Sequence, residues 1–408
     1  MRTFFGKHYG WAIVAASFVY LSFTWGIVFN TNSLFLVPIE QSLAIGRAQT
    51  MVAITLRGVA MVIGAFVSGY LYDRYAFMRI FRLSSMLLVI TYALIAAVRT
   101  PMQYYILSTL HIMFMGIAGF IPVTMMVNRW FAAKTGTAMG FALLGSAIGG
   151  MLLSPVAGWL IPVWGWRMVN LLFALAMFLV VGICTFFVFA KEPADFGLTP
   201  YGTANDGTDS FTDVIRPDPQ PLGRLVFVLI IIGIVLMNAS LTLLMTNTSP
   251  HLQAEGFSLE KTSLVMSIIM FSMGFGKIAL GVLYDAVGMR LATLITAAAF
   301  LFGYGGLLYP HLPFAIWLSA LGTGFGSTFN SLAPPIFARA LYGVGQFTRI
   351  NAFFQAVGGV GSVLAPVVVG ALYDRHGDYT AIFRLFLFSI AVTMLIWVFA
   401  LPGKAKDA

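Results

Sequence analysis

The chain has 408 residues, of which 60% are hydrophobic and only 9% are charged, and its mean hydropathy is +0.92. Soluble domains carry about 25% charged residues, so this composition excludes a water-soluble globular protein and predicts a protein of the lipid bilayer. The formal net charge of +9 would suit nucleic acid, but the basic residues between the apolar stretches are concentrated on one predicted side of the membrane. The positive-inside rule explains that bias. We therefore expect no nucleic-acid partner and predict a multi-pass protein of the cell (inner) membrane with both termini in the cytoplasm.

Apolar stretches of about 20 residues, each long enough to cross a hydrocarbon core of about 30 Å, recur along the chain. They are continuous runs without the short alternating segments of a membrane β-barrel, so they predict an all-α membrane protein. The first stretch is expected to be an uncleaved helix, and the single cysteine, Cys184, excludes a disulfide framework. The twelve predicted transmembrane helices cover residues 10–37, 50–72, 80–98, 102–126, 136–161, 168–190, 224–249, 262–283, 291–309, 312–334, 349–372 and 380–401.

The two halves of the sequence are related by one constant, ungapped shift of 212 residues, which we call the repeat shift. It aligns Gly64 with Gly276, Gly149 with Gly361, and the motif that starts at Gly69 with a second copy. Six spans in each half predict parallel repeats, the organisation of a carrier in which two helical bundles rock about a central site. We expect an N-terminal six-helix bundle at 1–190, a polar cytoplasmic linker at 191–222 and a C-terminal six-helix bundle at 223–408.

The stretch "GYLYDRYAFMR" follows the second span, and "GVLYDAVGMR" follows the eighth. They resemble the loop motif G-x-L-x-D-R-x-G-R-R/K of the major facilitator superfamily, although the first copy has Ala76 in place of a glycine. The resemblance implies the twelve-helix fold of that family and a gating latch on the cytoplasmic side. A glycine at the start of the motif is expected to permit close helix contact. The residues assigned to this latch are Gly69, Asp73, Arg74, Arg79, Gly281, Asp285 and Arg290.

Three further stretches narrow the resemblance to the monocarboxylate transporter and oxalate/formate antiporter branch. They are "KHYGWAIVAASF", "NRWFAAKTGTAMGFALLGSAIGG" and the region from Gly326 to Pro366. Animal members carry D-x-x-x-R in helix 8, where the arginine binds the substrate carboxylate and the aspartate is linked to protons. This chain has "MGFGK" there, so Lys277 takes the place of the cation and Met273 replaces the acid. The resemblance therefore implies carboxylate binding and puts the family's route of proton coupling in doubt.

Two basic residues, Arg57 and Lys277, lie well inside predicted spans that contain no acidic residue to neutralise them. A charged side chain within a bilayer is costly and commonly marks a substrate or ion pathway, so the two cations predict a site for an anion. The alternatives are that Lys277 extends along its helix to the membrane surface and that carbonyls and hydroxyls satisfy Arg57.

Other polar residues within the spans are candidates for the same site. Asn30, Asn32, Asn330 and Gln355 are predicted to bind substrate, with hydrogen bonding between helices as the alternative for the last two. His111 is the candidate for proton coupling, because histidine is the side chain that most readily titrates near neutral pH, although it could equally be a packing residue.

These observations predict a secondary active transporter of small organic anions, most of all monocarboxylates of the lactate or pyruvate type. Proton symport and anion exchange remain open. The alternatives are a dicarboxylate or oxalate antiporter, an exporter of drugs or metabolites, a sensor built on the same scaffold, and a membrane enzyme. The sequence shows no nucleophile constellation, metal cluster or Walker motif, so we expect no enzymatic activity and no cofactor. The expected partners are a small carboxylate anion, protons as a candidate co-substrate, and the lipid bilayer, with the monomer as the functional unit.

Overall fold

The computed structural model describes residues 9–131, 135–190, 193, 199–201 and 224–401, with all of their side chains except those of 135–137, 285, 339–340, 343–349 and 351–352. Nearly all of these residues are helical. The helices are α1 (Tyr9–Trp25), α2 (Asn32–Leu43), α3 (Arg47–Arg74), α4 (Phe77–Ile95), α5 (Pro101–Ala118), α6 (Phe120–Trp130), α7 (Thr135–Ile183), α8 (Arg224–Ala254), α9 (Leu259–Val287), α10 (Met289–Leu307), α11 (Ala315–Ser327), α12 (Phe329–His376) and α13 (Thr380–Ala400). Two π-helical turns, Gly26–Asn30 and Cys184–Val188, follow α1 and α7.

These helices account for the predicted spans, with several differences. The fourth span is divided at Gly119 into α5 and α6. The first span is divided into α1, the turn Gly26–Asn30 and α2. The fifth and sixth spans both lie in α7 and meet at Gly165, whose φ of 75° and ψ of 154° are non-helical. The sequence predicts a break between residues 334 and 349, but α12 continues through this stretch, where helix-forming alanine, leucine and arginine outweigh the polar signal.

Ten described helices, some joined to an adjoining turn or helix, are long and apolar enough to cross a membrane. The ten include α7 once, although it contains two predicted spans, and they omit α11, which has 13 residues. Large apolar side chains are exposed on these helices, for example Phe302 at 78% and Phe399 at 82%. Exposed apolar surface of this kind suits contact with lipid tails.

The chain forms two compact units. The first unit consists of residues 1–45 and 56–213, and the second of residues 46–55 and 214–408. In the first unit α1 packs along α7, and Gly145 and Gly149 have no room for a side chain because the α1 backbone lies against them. In the second unit Gly361 of α12 lies in the same way against the backbone of α8 at Val235.

The backbone follows the repeat shift found in the sequence. Helices α4 and α10 both have 19 residues, and the shift places the first and last residues of one helix on those of the other. Gly165 and Gly377, which the shift also aligns, have nearly the same positive φ, 75° and 74°. The two units thus match at the ends of these two helices and at this positive φ.

Helix contacts follow the repeat shift as well. Gly64 packs on Met113 and Gly116 of α5, and Gly276 packs on Phe325 and Thr328, which lie at the shifted positions. Because the two units place equivalent residues in equivalent contacts, either unit serves as an internal reference for the other.

Candidate functional site

The first unit contains a small buried cavity with a volume of about 30 Å³. Residues of the π-helical turn and of five helices supply its walls. Seven polar residues face it: Asn32 of α2, Arg57 of α3, Tyr92 of α4, Tyr104, Ser108 and His111 of α5, and Asn170 of α7. The structure thus brings together three residues that the sequence predicts for the site, Arg57, Asn32 and His111.

The guanidinium of Arg57 is the only arginine or lysine side chain lining this cavity, and it is 9% exposed. Its Nη1 donates to Oδ1 of Asn32 at 2.6 Å, and its Nη2 donates to the carbonyl of Val28 at a longer 3.4 Å. The hydroxyl of Tyr104 lies within hydrogen-bonding range as well. Within the described part of the chain, Arg57 forms no ion pair with a carboxylate. Neutral oxygens therefore hold the cation in place and leave its charge uncompensated.

Two of the other lining residues have unused hydrogen-bonding capacity. His111 is 2% exposed and Asn170 is 3% exposed, and the Nδ1 of the histidine and the Oδ1 of the asparagine lack a hydrogen-bond partner among the described residues. Buried polar atoms are normally paired, because an unpaired one has lost its water without compensation. A cavity of this volume holds about two water molecules. Its charge and its unpaired atoms thus suit a small polar or anionic group.

Among the described residues of the second unit, most of the equivalent positions are apolar. The repeat shift places Leu244, Ile269, Thr323 and Ile382 at the positions of Asn32, Arg57, His111 and Asn170. All four are fully buried in the second unit, and the hydroxyl of Thr323 bonds within its own helix to the carbonyl of Ser319. The fold therefore accepts a mainly apolar core at this location. Packing therefore does not require the polar residues that the first unit has at these positions.

Asn30, which the sequence also predicts for the site, lies elsewhere in the first unit. It is 5% exposed, donates to the carbonyl of Ser146 at 2.7 Å and fills the space beside Gly150. Its contacts therefore join the π-helical turn to α7 and do not reach the cavity.

The remaining predicted binding residues belong to the second unit. Lys277 of α9 is half-buried, and among the described residues its ammonium has no hydrogen-bond or ion-pair partner. Asn330 is half-buried, donates weakly to the carbonyl of Ser327 at 3.4 Å and leaves its Oδ1 without a partner in the described part of the chain. Gln355 is exposed.

The latch residues lie at helix ends and are largely exposed. Asp73, Arg74 and Arg79 are exposed, and Arg74 donates to the hydroxyl of Tyr70 at 3.2 Å. Asp73 makes no hydrogen bond or ion pair within the described residues. Arg290 is half-buried, and the side chain of Asp285 lies outside the described part.

The close helix contact expected at Gly69 is not present among the described residues. A Cβ added to Gly69 or to Gly281 would have no described neighbour within 4 Å. The close approach of α3 to α5 occurs instead at Gly64, where a Cβ would overlap the carbonyl of Met113. Gly64 lies on the buried face of α3, whereas Gly69 lies on an exposed one.

Sequence reasoning missed four polar lining residues, Tyr92, Tyr104, Ser108 and Asn170. A single tyrosine or asparagine in an apolar span carries no periodic signal, and such residues commonly pair with a neighbouring helix. Comparison of the two repeats could have identified two of them, because the polar Asn170 and Tyr104 align with the apolar Ile382 and Ile316.

The sequence matches the Major Facilitator Superfamily over residues 12–342, which is most of the chain. The chain belongs to this family of transporters. Within it, the chain is 27% identical to monocarboxylate transporter 13 of Bos taurus, in a match that covers 65% of this chain and 59% of that protein. The chain thus spans about three fifths of the length of this relative. It is 26% identical to a protein of Haemophilus influenzae that is named as a metabolite transport protein, and this match covers 98% of both chains.

The fold is that of solved major facilitator transporters. The structure of the nucleoside transporter NupG gives a TM-score of 0.72 and 17% sequence identity over 97% of this chain and 100% of that one. The family match and this likeness confirm the predicted all-α membrane fold of the major facilitator type, and the protein is therefore a multi-pass membrane protein.

Proposed function

We propose that this protein is a secondary active transporter of small organic anions, with monocarboxylates as the preferred class. The observation that carries the proposal is the buried guanidinium of Arg57, which lines a cavity and makes no ion pair among the described residues. A guanidinium matches a carboxylate in charge and in geometry, because it can donate two parallel hydrogen bonds to the two oxygens. In this account, Arg57 is neutralised by the substrate.

Three further findings support the proposal. The second unit has the apolar Ile269, fully buried, at the position of Arg57, so fold stability alone does not explain Arg57. A relative with 27% identity is named as a monocarboxylate transporter. The half-buried ammonium of Lys277 is a second cation without a partner in the described part of the chain, and its place in the sequence is that of the substrate-binding arginine in the resembled branch.

We assign further roles around these two cations. Asn32 and Tyr104 hold the guanidinium of Arg57, Asn330 and Gln355 remain candidate donors in the second unit, and His111 is the candidate proton carrier beside Arg57. The proposal admits either proton symport or anion exchange by alternating access. We place the protein in the inner membrane, with both termini in the cytoplasm.

Counterflow in proteoliposomes tests the assignment. Vesicles preloaded with unlabelled acid are offered labelled lactate, pyruvate, oxalate or succinate, and the native chain is compared with Arg57→Gln and Lys277→Gln. Both variants remove a charge and keep a polar side chain. We expect the native chain to accumulate at least one of these acids, and we expect either substitution to abolish the accumulation.

Two matched controls remove a charge away from the proposed site. Arg82 of the first unit donates to the carbonyl of Thr185 at 2.9 Å, and Lys261 of the second unit is exposed and lies over the ring of Phe257. We expect Arg82→Gln and Lys261→Gln to transport like the native chain. Failure of the native chain to exchange any of the four acids would refute the proposed substrate class. Normal transport by Arg57→Gln and Lys277→Gln would show that the two cations are structural.

A further inference from the structure

The π-helical turn Gly26–Asn30 lies beside the cavity, and two of its residues, Ile27 and Val28, line the cavity wall. A π-helical turn closes its hydrogen bond to the fifth residue along the chain, and here the amide of Thr31 donates to the carbonyl of Gly26 at 3.2 Å. Single turns of this kind within helical segments are often found at functional sites. The equivalent helix of the second unit, α8, runs from Arg224 to Ala254 as an α-helix.

Contacts on the two sides of the turn show that it adds one residue to the first unit. Before the turn, Gly149 lies against Ser22, and its repeat partner Gly361 lies against Val235. The repeat shift aligns Ser22 with Ile234, but Gly361 contacts the next residue, Val235. Before the turn, the two units are therefore offset by one residue more than the repeat shift.

The repeat shift holds at several positions in the later spans. Gly64 and Gly276 make equivalent contacts, and Gly165 and Gly377 have equivalent positive φ values. The helices α4 and α10 match under the same shift at both of their ends. The difference of one residue therefore arises within the first span.

The added residue changes which side chain donates a hydrogen bond to a backbone carbonyl next to the cavity. In the second unit the carbonyl of Ser240 accepts a hydrogen bond from the hydroxyl of Tyr304. In the first unit the turn supplies the corresponding part of the span, and its Val28 carbonyl accepts a hydrogen bond from Arg57. The tyrosine that the repeat shift aligns with Tyr304 is Tyr92, which lines the cavity with its ring centroid 5.3 Å from that of His111. The first unit thus uses a guanidinium, where the second unit uses a tyrosine hydroxyl, as the donor to a carbonyl of this span.

We propose that the turn Gly26–Asn30 is a one-residue insertion that positions Arg57 for its ligand. The turn presents the Val28 carbonyl from one side, and Asn32, two residues after the turn, presents its side-chain oxygen from the other. Removing the insertion returns the first span to the continuous helix of the second unit and withdraws the Val28 carbonyl from the guanidinium. This inference rests on the proposed function for its effect on transport, whereas its effect on stability is independent of transport.

Deletion of Phe29 tests the inference, because Phe29 belongs to the turn and does not line the cavity. The matched control is deletion of Phe187, which belongs to the other π-helical turn and is 76% exposed. If the native chain transports an anion, we expect the Phe29 deletion to raise its KM by roughly tenfold or more, because the guanidinium loses one of its hydrogen bonds and its position. We expect the Phe187 deletion to leave KM unchanged. An unchanged KM in the Phe29 deletion would overturn the inference and leave the proposed function standing.

A thermal-denaturation cycle gives a second readout that does not depend on transport. The Phe29 deletion is made in the native chain and in a background that carries Asn32→Leu and Arg57→Ile, the residues of the second unit. We expect the deletion to lower the melting temperature, or to prevent folding, in the native chain, and to have little effect in the apolar background. Equal loss of melting temperature in both backgrounds, or failure of the apolar background to fold with the deletion, would overturn the inference.

Discussion

Replacing Asn32 by aspartate tests directly whether Arg57 binds the substrate anion. The side chain keeps its size, and the oxygen that accepts from the guanidinium Nη1 at 2.6 Å becomes part of a carboxylate. Arg57 then has a permanent counter-ion inside the first unit. If its function is to bind a substrate carboxylate, the introduced carboxylate competes with the substrate for the same donors.

The size of the effect follows from the burial of Arg57, which is 9% exposed. Breaking a buried ion pair costs about 3–5 kcal/mol, because one charge is left without compensation. The substrate carboxylate has to displace the introduced carboxylate from Arg57 before it can bind. A displacement cost of about 3 kcal/mol corresponds to roughly a hundredfold loss of affinity. We therefore expect Asn32→Asp to raise the KM for the transported anion by about a hundredfold.

Counterflow over a range of substrate concentrations measures this KM, and thermal denaturation without substrate measures folding. We expect the variant to melt at or above the native temperature, since the added charge pairs with Arg57. The control is Gln103→Glu, which adds a carboxylate to the same unit at the capping box of α5 on the exposed surface. Native KM in Asn32→Asp would refute the reasoning, as would a large fall in its melting temperature with KM unchanged.

Two further predictions concern the packing of the two units. Gly149→Ala would place a Cβ in the backbone of α1, so we expect a lower melting temperature, whereas Gly69→Ala, with no described neighbour within 4 Å of its Cβ, is expected to melt like the native chain. Equal melting of these two alanine variants would contradict the close contact at Gly149. Tyr304→Phe removes the hydroxyl that bonds to the Ser240 carbonyl, and we expect it to cost about 1 kcal/mol of stability while counterflow remains native. A transport defect in a normally stable Tyr304→Phe protein would contradict a purely structural role.

Composition and span length were enough to predict the membrane fold, because each membrane-spanning helix needs about 20 consecutive, mainly apolar residues, and a run of that length indicates such a helix. The repeat was readable for a similar reason. Close helix contacts and positive φ both favour glycine, so Gly64, Gly149 and Gly165 each have a glycine partner at the shifted position with a close helix contact or a positive φ.

The site was predictable only in part. A charge inside a span stands out, so Arg57 was found, and Asn32 was chosen together with its neighbour Asn30. Which of these two asparagines faces the cavity depends on the π-helical turn between α1 and α2, since one added residue rotates the helix that follows. Hydropathy does not report such a turn. The open surroundings of Gly69 were missed because the motif fixes the residue type and not the face of α3 on which it lies.

Equilibrium binding of a labelled acid to the purified protein tests the central claim most directly. The acid is one that the native chain exchanges, and the proteins compared are the native chain, Arg57→Lys and Arg57→Gln. We predict saturable binding by the native chain, weaker binding by Arg57→Lys, which keeps a charge but loses the two-pronged geometry, and none by Arg57→Gln. The same Kd for all three proteins would contradict the claim that Arg57 holds the substrate carboxylate.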